Sequence, residues 1–218
     1  MIIYNFLRCS KIGGDFAARL EQGEYAGIRR AVENINKFLS NIEIPQQRIL
    51  RKKFSSVGSL DQIFDKIAEL LVAIELRDER PLFMEESDGG PDLYLQTSEK
   101  WVEIKRINES DDEKSFLEVL EKKKVIVSDS SEELARQAGM VNAVNKKADD
   151  ALSKATKQVG NRQGIIYLIY SLDLLGYRES LAEREKQFES YCAKRFKDIA
   201  TRKPIEIKIK KFNKLIFE

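Results

Sequence analysis

Residues 164–171 constrain the fold of this chain more than any other segment. They read Gly-Ile-Ile-Tyr-Leu-Ile-Tyr-Ser, an unbroken apolar run rich in β-branched and aromatic side chains. Such a run is typical of a strand that is buried on both faces, because a strand with one solvated face alternates apolar and polar residues. The sequence therefore predicts a sheet that is covered on both sides.

Helical periodicity occupies much of the rest of the chain. Apolar residues recur at intervals of three and four, and Ser59 is a natural N-cap. The expected helices cover residues 15–54, where Pro45 separates two helices, then 60–76, 131–159 and 179–200.

Alternating patterns predict the remaining strands. We interpret residues 1–58 as a helical N-terminal extension and residues 59–218 as the principal domain, which ends in a helix and strands. The expected strands cover 81–86, 91–97, 100–108 and 204–211, with a further short strand at 214–217. Together with the buried strand they predict an α/β fold, in which a mixed sheet is flanked by helices on both faces.

The hairpin at residues 91–105 carries the polar residues that point to chemistry. If Ser98 and Glu99 form a two-residue loop, Asp92 lies opposite Lys105. Side chains alternate along a strand, so Glu103 shares the face of Lys105 and Asp92. The apolar residues Leu93, Leu95, Val102 and Ile104 fall on the other face.

Two neighbouring carboxylates need a shared proton or a cation between them, and hard oxygen ligands of this kind suit Mg²⁺. Lys105 would stand beside that cation, where it could orient a water molecule and offset developing negative charge. The alternative is an ordinary amphipathic hairpin with a solvated polar face, on which Lys105 pairs with Asp92 and Glu103.

The chain contains no histidine. Hydrolysis by a Ser-His-Asp triad, Cys-His proteolysis and histidine-ligated zinc are therefore excluded, because each of them needs an imidazole. Acid–base chemistry falls to carboxylates, lysine or tyrosine, which are the residue types that the hairpin brings together.

Pro91-Asp92, followed after ten residues by Glu103-Ile104-Lys105, resembles the PD-(D/E)xK motif of the restriction-endonuclease-like nuclease superfamily. That superfamily also carries an acidic residue on the helix before its first core strand. Glu69 matches this position, with Glu75 as its competitor. The resemblance covers residues 60–171 and implies a restriction-endonuclease-like sheet.

The resemblance also implies roles for individual residues. Asp92 and Glu103 would ligate Mg²⁺, for which Mn²⁺ could substitute, together with the carbonyl group of Ile104. Lys105 would be the catalytic lysine, and Glu69 would support the site or bind a second metal ion. The second core helix of the superfamily often brings a lysine or glutamine to the substrate, and the matching residues here are Lys154, Lys157 and Gln158.

The net charge of +2 is distributed unevenly along the chain. Residues 1–60 carry a net charge of +5 and residues 184–218 a net charge of +6, whereas the segment between them carries −9. A chain with basic ends and an acidic centre suits a protein that binds a polyanion at its periphery and uses its carboxylates to bind a metal ion. Charged residues on solvent-exposed helix faces would give the same distribution of net charge.

These observations predict a Mg²⁺-dependent nuclease, a hydrolase that cleaves phosphodiester bonds with DNA as the expected substrate. The alternative is a catalytically silent nucleic-acid-binding or assembly protein that keeps the fold. Family resemblance makes a homodimer compatible with this activity. Cys9 and Cys192 form no disulfide framework, and no apolar run reaches membrane-spanning length, so we expect a cytoplasmic protein without a membrane partner.

Overall fold

The computed structural model of the protein describes residues 2–85, 89–107, 130–170 and 178–212. A single turn of 3₁₀ helix, Arg77–Glu79, separates the N-terminal helices from the first strand. The helices are α1 (Ile2–Leu7), α2 (Lys11–Glu21), α3 (Ala26–Ser40), α4 (Ile44–Ser55), α5 (Leu60–Glu75), α6 (Ser130–Val159) and α7 (Arg178–Ala200). The strands are β1 (Pro81–Phe83), β2 (Leu93–Leu95), β3 (Lys100–Ile107), β4 (Gly164–Tyr170) and β5 (Ile205–Lys211).

The described strands form one mixed sheet in the order β1-β2-β3-β4-β5. The pairs β1–β2 and β2–β3 are antiparallel, whereas β3–β4 and β4–β5 are parallel. All seven residues of β4 are buried, which confirms the prediction of a strand covered on both faces. The predicted α/β architecture with a mixed sheet is confirmed at this level.

Helices cover both faces of the sheet. Ile165, Tyr167 and Ile169 of β4 belong to a buried cluster that they share with α1 to α5, whereas Ile166 and Leu168 pack against α6 and α7. The first cluster contains residues from the N-terminal extension as well as from the sheet, among them Phe6, Phe54 and Val102. The extension and the sheet therefore share one hydrophobic core.

The β2–β3 hairpin differs from the prediction by two residues. Leu95 pairs with Lys100, so the loop comprises the four residues 96–99 instead of two. The first loop residue is held by another element, because the N–H group of Gln96 donates to the carbonyl group of Arg80 at 3.4 Å. The predicted register was therefore wrong.

This error leaves the faces of the hairpin unchanged, because side chains alternate with a period of two. Continuing the observed register by one residue places Asp92 opposite Glu103 instead of Lys105. Asp92, Glu103 and Lys105, which the sequence placed on one face of the hairpin, therefore remain on that face.

The N-terminal region contains more helices than predicted. The segment 15–54 is covered by three helices, α2 to α4, instead of the two predicted. The additional break lies at Gly23 (φ 99°) and Tyr25 (φ 54°), where the backbone is left-handed. Pro45 lies in the first turn of α4, a position at which proline loses no hydrogen bond.

The predicted edge strand at 204–211 corresponds to β5, whereas the predicted strand at 214–217 lies outside the described residues. Within the part of the chain that the structure describes, no helix is long and apolar enough to cross a membrane.

Candidate active site

The candidate site lies at the start of β2, next to β3. Asp92 immediately precedes β2, and its Oδ2 accepts a hydrogen bond of 2.8 Å from the backbone N–H of Ile104. Because β2 begins only at Leu93, the Asp92 side chain takes the place of a backbone acceptor for the Ile104 N–H group. Because the N–H and C=O groups of one strand residue point to the same side, the Ile104 carbonyl group faces the same gap.

Glu103 is fully buried in β3, with 0% of its surface exposed. Among the described residues, neither of its carboxylate oxygens has a hydrogen-bond partner. Lys105 Nζ lies 2.5 Å from Glu103 Oε1, which makes an ion pair, but its direction does not meet hydrogen-bond geometry. A buried carboxylate is costly unless a proton or a cation balances it; the Lys105 ammonium supplies a cation at Oε1, whereas Oε2 has no partner among the described residues.

Helix α5 brings a third carboxylate, Glu69, to this region. Its two oxygens are both paired, Oε2 with Lys53 Nζ at 2.8 Å and Oε1 with Lys66 Nζ at 2.7 Å. Lys53 Nζ also lies 4.0 Å from Asp92 Oδ1. Lys53 and Glu69 are only 3% and 4% exposed, so this ion-pair network is shielded from solvent.

The three carboxyl groups respond differently to burial. Burial raises the pKa of Asp92 to about 6, and the neighbouring Glu69 charge adds to the rise. Burial also raises the pKa of Glu103 to about 8, the negative charge of Asp92 adds to the rise, and the Lys105 ammonium opposes it. Burial would likewise raise the pKa of Glu69, but Lys53 and Lys66 reverse the effect and hold this pKa below its usual value.

Glu75, the other acidic candidate on α5, is directed elsewhere. Its Oε1 accepts a hydrogen bond of 3.3 Å from the Tyr167 hydroxyl and lies 3.0 Å from Lys210 Nζ. Of the two acidic candidates on this helix, Glu69 is the one that the structure places in the network around Asp92.

The donor set fits the cation that the family resemblance implies. Within the described ranges, no group of three or more acidic or cysteine side chains is close enough to hold a metal ion. Mg²⁺, however, is usually bound through one or two carboxylates, and it keeps water molecules or phosphate oxygens in its other positions. Asp92, Glu103 and the Ile104 carbonyl group meet this need, and Glu103 Oε2 has no partner among the described residues.

Lys53 is the site residue that the sequence did not identify as such. It belongs to a basic cluster on α4 together with Lys52, whose ammonium is exposed and pairs with Glu85 at 2.9 Å. The distinguishing signal is helical spacing, because Leu50 and Phe54 are buried and Lys53 lies on the same stripe. A lysine on the apolar face of a helix calls for a buried anion, and Glu69 supplies it.

The predicted substrate-contacting residues lie on α6. Lys154 and Lys157 are exposed and Gln158 is half-buried. No contact within the described residues joins these three side chains to Asp92 or Glu103, and their role in substrate binding stays a prediction.

Two aromatic residues of the hairpin lie close in sequence to the candidate residues, Tyr94 on β2 and Trp101 on β3. The Trp101 and Tyr94 rings are 4.9 Å apart between centroids, and the Arg162 guanidinium lies 4.6 Å from the centre of the Trp101 ring. Trp101 precedes Glu103 by two residues, so its side chain emerges on the same face of β3. Arg162 is exposed, and its guanidinium lies over the face of the Trp101 ring.

Comparison of the chain with known protein families, with curated proteins and with solved structures finds no match. The function therefore has to be argued from the side chains of the site and their surroundings.

Proposed function

We propose that the protein is a Mg²⁺-dependent nuclease of the restriction-endonuclease-like type that hydrolyses phosphodiester bonds in DNA. The observation that carries this proposal is Glu103, a fully buried carboxyl group whose Oε1 faces the Lys105 ammonium and whose Oε2 has no partner among the described residues. Asp92 lies beside it with Oδ2 bonded to the Ile104 N–H group and Oδ1 4.0 Å from Lys53 Nζ, so the pair offers two acidic ligands to a divalent cation. The PD-(D/E)xK pattern of Asp92, Glu103 and Lys105 agrees with this reading.

Asp92 and Glu103 would hold Mg²⁺, which supplies a Lewis acid for the phosphoryl oxygen and lowers the pKa of bound water. The Lys105 side chain is 27% exposed and its ammonium pairs with Glu103, so it lies between the buried carboxylates and an incoming phosphate. Its role is to orient the attacking water and to balance the negative charge that develops on the phosphorane oxygens. Glu69 keeps Lys53 and Lys66 in place around this pair.

The substrate is a polyanion, because not every cation near these residues forms an ion pair with another described residue. Arg162 has no ion-pair partner within the described residues, and its guanidinium lies over the ring of Trp101, two residues before Glu103. Such a stacked guanidinium is suited to a backbone phosphate one position away from the scissile bond. The basic N-terminal and C-terminal segments add sequence-independent attraction for DNA.

Incubation of the purified chain with linear, circular, single-stranded and branched DNA, and with RNA, tests the proposal in the presence of Mg²⁺ and of chelator. Cleavage should require the metal and should be lost in Asp92→Asn. Asp78→Asn is the matched control, because the Asp78 side chain is 97% exposed and lies outside the site. Cleavage by Asp92→Asn at the wild-type rate would overturn the mechanism.

A second candidate is a catalytically silent protein that binds nucleic acid or supports an assembly with the same fold. The pairing of Glu69 with two lysines favours it, because this pairing removes one acidic group from metal binding. Calorimetric titration with MgCl₂ and MnCl₂ separates the two candidates. DNA affinity without any metal binding would favour the silent protein.

A further inference from the structure

The ion pairs around Glu69 decide how many cations the site can take. Lys53 Nζ lies 2.8 Å from Glu69 Oε2 and 4.0 Å from Asp92 Oδ1, so one ammonium connects two of the three buried carboxylates. Lys66 Nζ occupies the other oxygen of Glu69 at 2.7 Å. A divalent ion approaching Glu69 would meet two ammonium groups at contact distance from its ligand atoms.

Burial makes this arrangement persistent. Lys53 is 3% exposed, and its neighbours Leu50 and Phe54 on α4 are buried in the main core. Withdrawing the ammonium to admit a second metal ion would leave a lysine charge inside the protein without a partner, which is strongly unfavourable. Glu103 differs from Glu69, since only its Oε1 faces an ammonium, that of the partly exposed Lys105, and its Oε2 has no partner among the described residues.

We propose that Lys53 is a positioning residue that acts as the internal counter-cation of the site. It takes the place that a second metal ion would occupy between Glu69 and Asp92, so the site holds a single divalent cation at Asp92 and Glu103. Glu69 is then a ligand of Lys53 and Lys66 and not of the metal. This inference rests on the proposed function, because it presumes that Asp92 and Glu103 bind a metal ion.

The number of bound ions tests the inference without any activity measurement. Titration of the metal-free full-length chain with MnCl₂, followed by calorimetry and by electron paramagnetic resonance of free Mn²⁺, should give one ion per chain. Two ions on the wild-type chain would overturn the inference and leave the proposed function standing. No bound ion would overturn the proposed function itself.

Two variants extend the test. Lys53→Met should admit a second Mn²⁺ ion, because the Glu69–Asp92 pair then lacks its cation; one ion bound with unchanged affinity would contradict the inference. Lys52→Met is the matched control, since Lys52 is the exposed neighbour on the same helix, and it should bind as the wild type does.

The double variant Lys53→Met/Glu69→Gln guards against a Lys53→Met chain that does not fold, because it removes a cation and an anion together. It should bind one ion with an affinity within about threefold of the wild-type value. A larger loss of affinity would identify Glu69 as a metal ligand and would overturn the inference.

Discussion

Glu103 shows at the scale of one residue how burial prepares a group for a cation. A carboxylic acid whose pKa is raised in the folded state favours folding while it stays protonated. This stabilisation is complete below the unfolded pKa, near 4.5, and it is lost as the pH rises through the folded value of about 8. Between these two pH values the unfolded chain releases the Glu103 proton more readily than the folded chain, so without metal Glu103 opposes folding increasingly as the pH rises.

The variant Glu103→Gln should consequently be more stable than the wild type in chelator at pH 8, by on the order of a few kcal/mol. At pH 5 the two proteins should have nearly the same free energy of unfolding, because the wild-type side chain is then protonated. Urea denaturation at both pH values measures the difference. A variant that is less stable than the wild type at pH 8 would contradict the raised pKa.

Lys105 should be needed for cleavage but not for metal binding. Lys105→Met removes the charge nearest to the reacting phosphate, and losses of this kind are typically about 10²- to 10³-fold in rate. The affinity for Mg²⁺ should stay the same or rise, because a cation has left its vicinity. Cleavage assays and calorimetry on the same preparation check both parts, with Lys105→Arg as the variant that retains the charge.

At the scale of elements, α4 carries two adjacent lysines in opposite environments. Lys53→Met should reduce the free energy of unfolding by roughly 3 to 5 kcal/mol, because it leaves Glu69 and Asp92 as buried charges without their shared partner. Lys52→Met should cost less than about 1 kcal/mol, since its pair with Glu85 is exposed. Equal losses in the two variants would refute this difference, which denaturant titration measures.

The β2–β3 loop contains a strained residue. Glu99 has φ 54°, the left-handed region that glycine adopts without penalty. Glu99→Gly should therefore stabilise the protein by about 0.5 to 1 kcal/mol, whereas Glu99→Ala should bring no such gain. Thermal unfolding of the two variants compares them, and a destabilised Glu99→Gly would argue against the four-residue loop.

The elements also show what the sequence could and could not predict. The buried strand β4 and the helix α5 were predictable, because an apolar run and a capped periodic segment depend on local residues alone. The hairpin register was not, since the extra loop residues Gln96 and Thr97 donate to the carbonyl groups of Arg80 and Glu79, which no local pattern reveals. The shared face of Asp92 and Glu103 survived this error only because the shift was an even number of residues.

Lys53 marks the limit of prediction for the site. Its position on an apolar stripe could be read from Leu50 and Phe54, but its partners Glu69 and Asp92 are 16 and 39 residues away in the chain. The residues before it, Arg51 and Lys52, are exposed, and the composition of α4 alone would equally fit a solvated basic helix face. Only the packing of α4 against α5 distinguishes the buried lysine from the exposed one beside it.

At the scale of the whole molecule, the N-terminal helices are part of the body that holds the site. The main buried cluster joins residues of α1 to α4 with residues of α5 and of the sheet, and Lys53 crosses the same boundary to reach Glu69. The sequence suggested an extension that ends at residue 58. The shared core and the shared ion pairs indicate that the two parts depend on each other for stability.

A chain cut to residues 59–218 should therefore fail to unfold cooperatively and should lose the near-ultraviolet circular dichroism of packed aromatic side chains. The cut exposes the apolar face of α5 and of the sheet, and a core that loses this much buried surface falls below the margin by which proteins are stable. Full-length Lys53→Met is the informative control, because it removes the same ion pair but keeps the core. If the shortened chain unfolds cooperatively and binds Mn²⁺ as the full chain does, residues 1–58 are a separable extension and the shared core contributes little. If full-length Lys53→Met unfolds cooperatively and the shortened chain does not, the N-terminal helices stabilise the site chiefly through packing. Lys53 then adds a positive charge, which the packing does not provide.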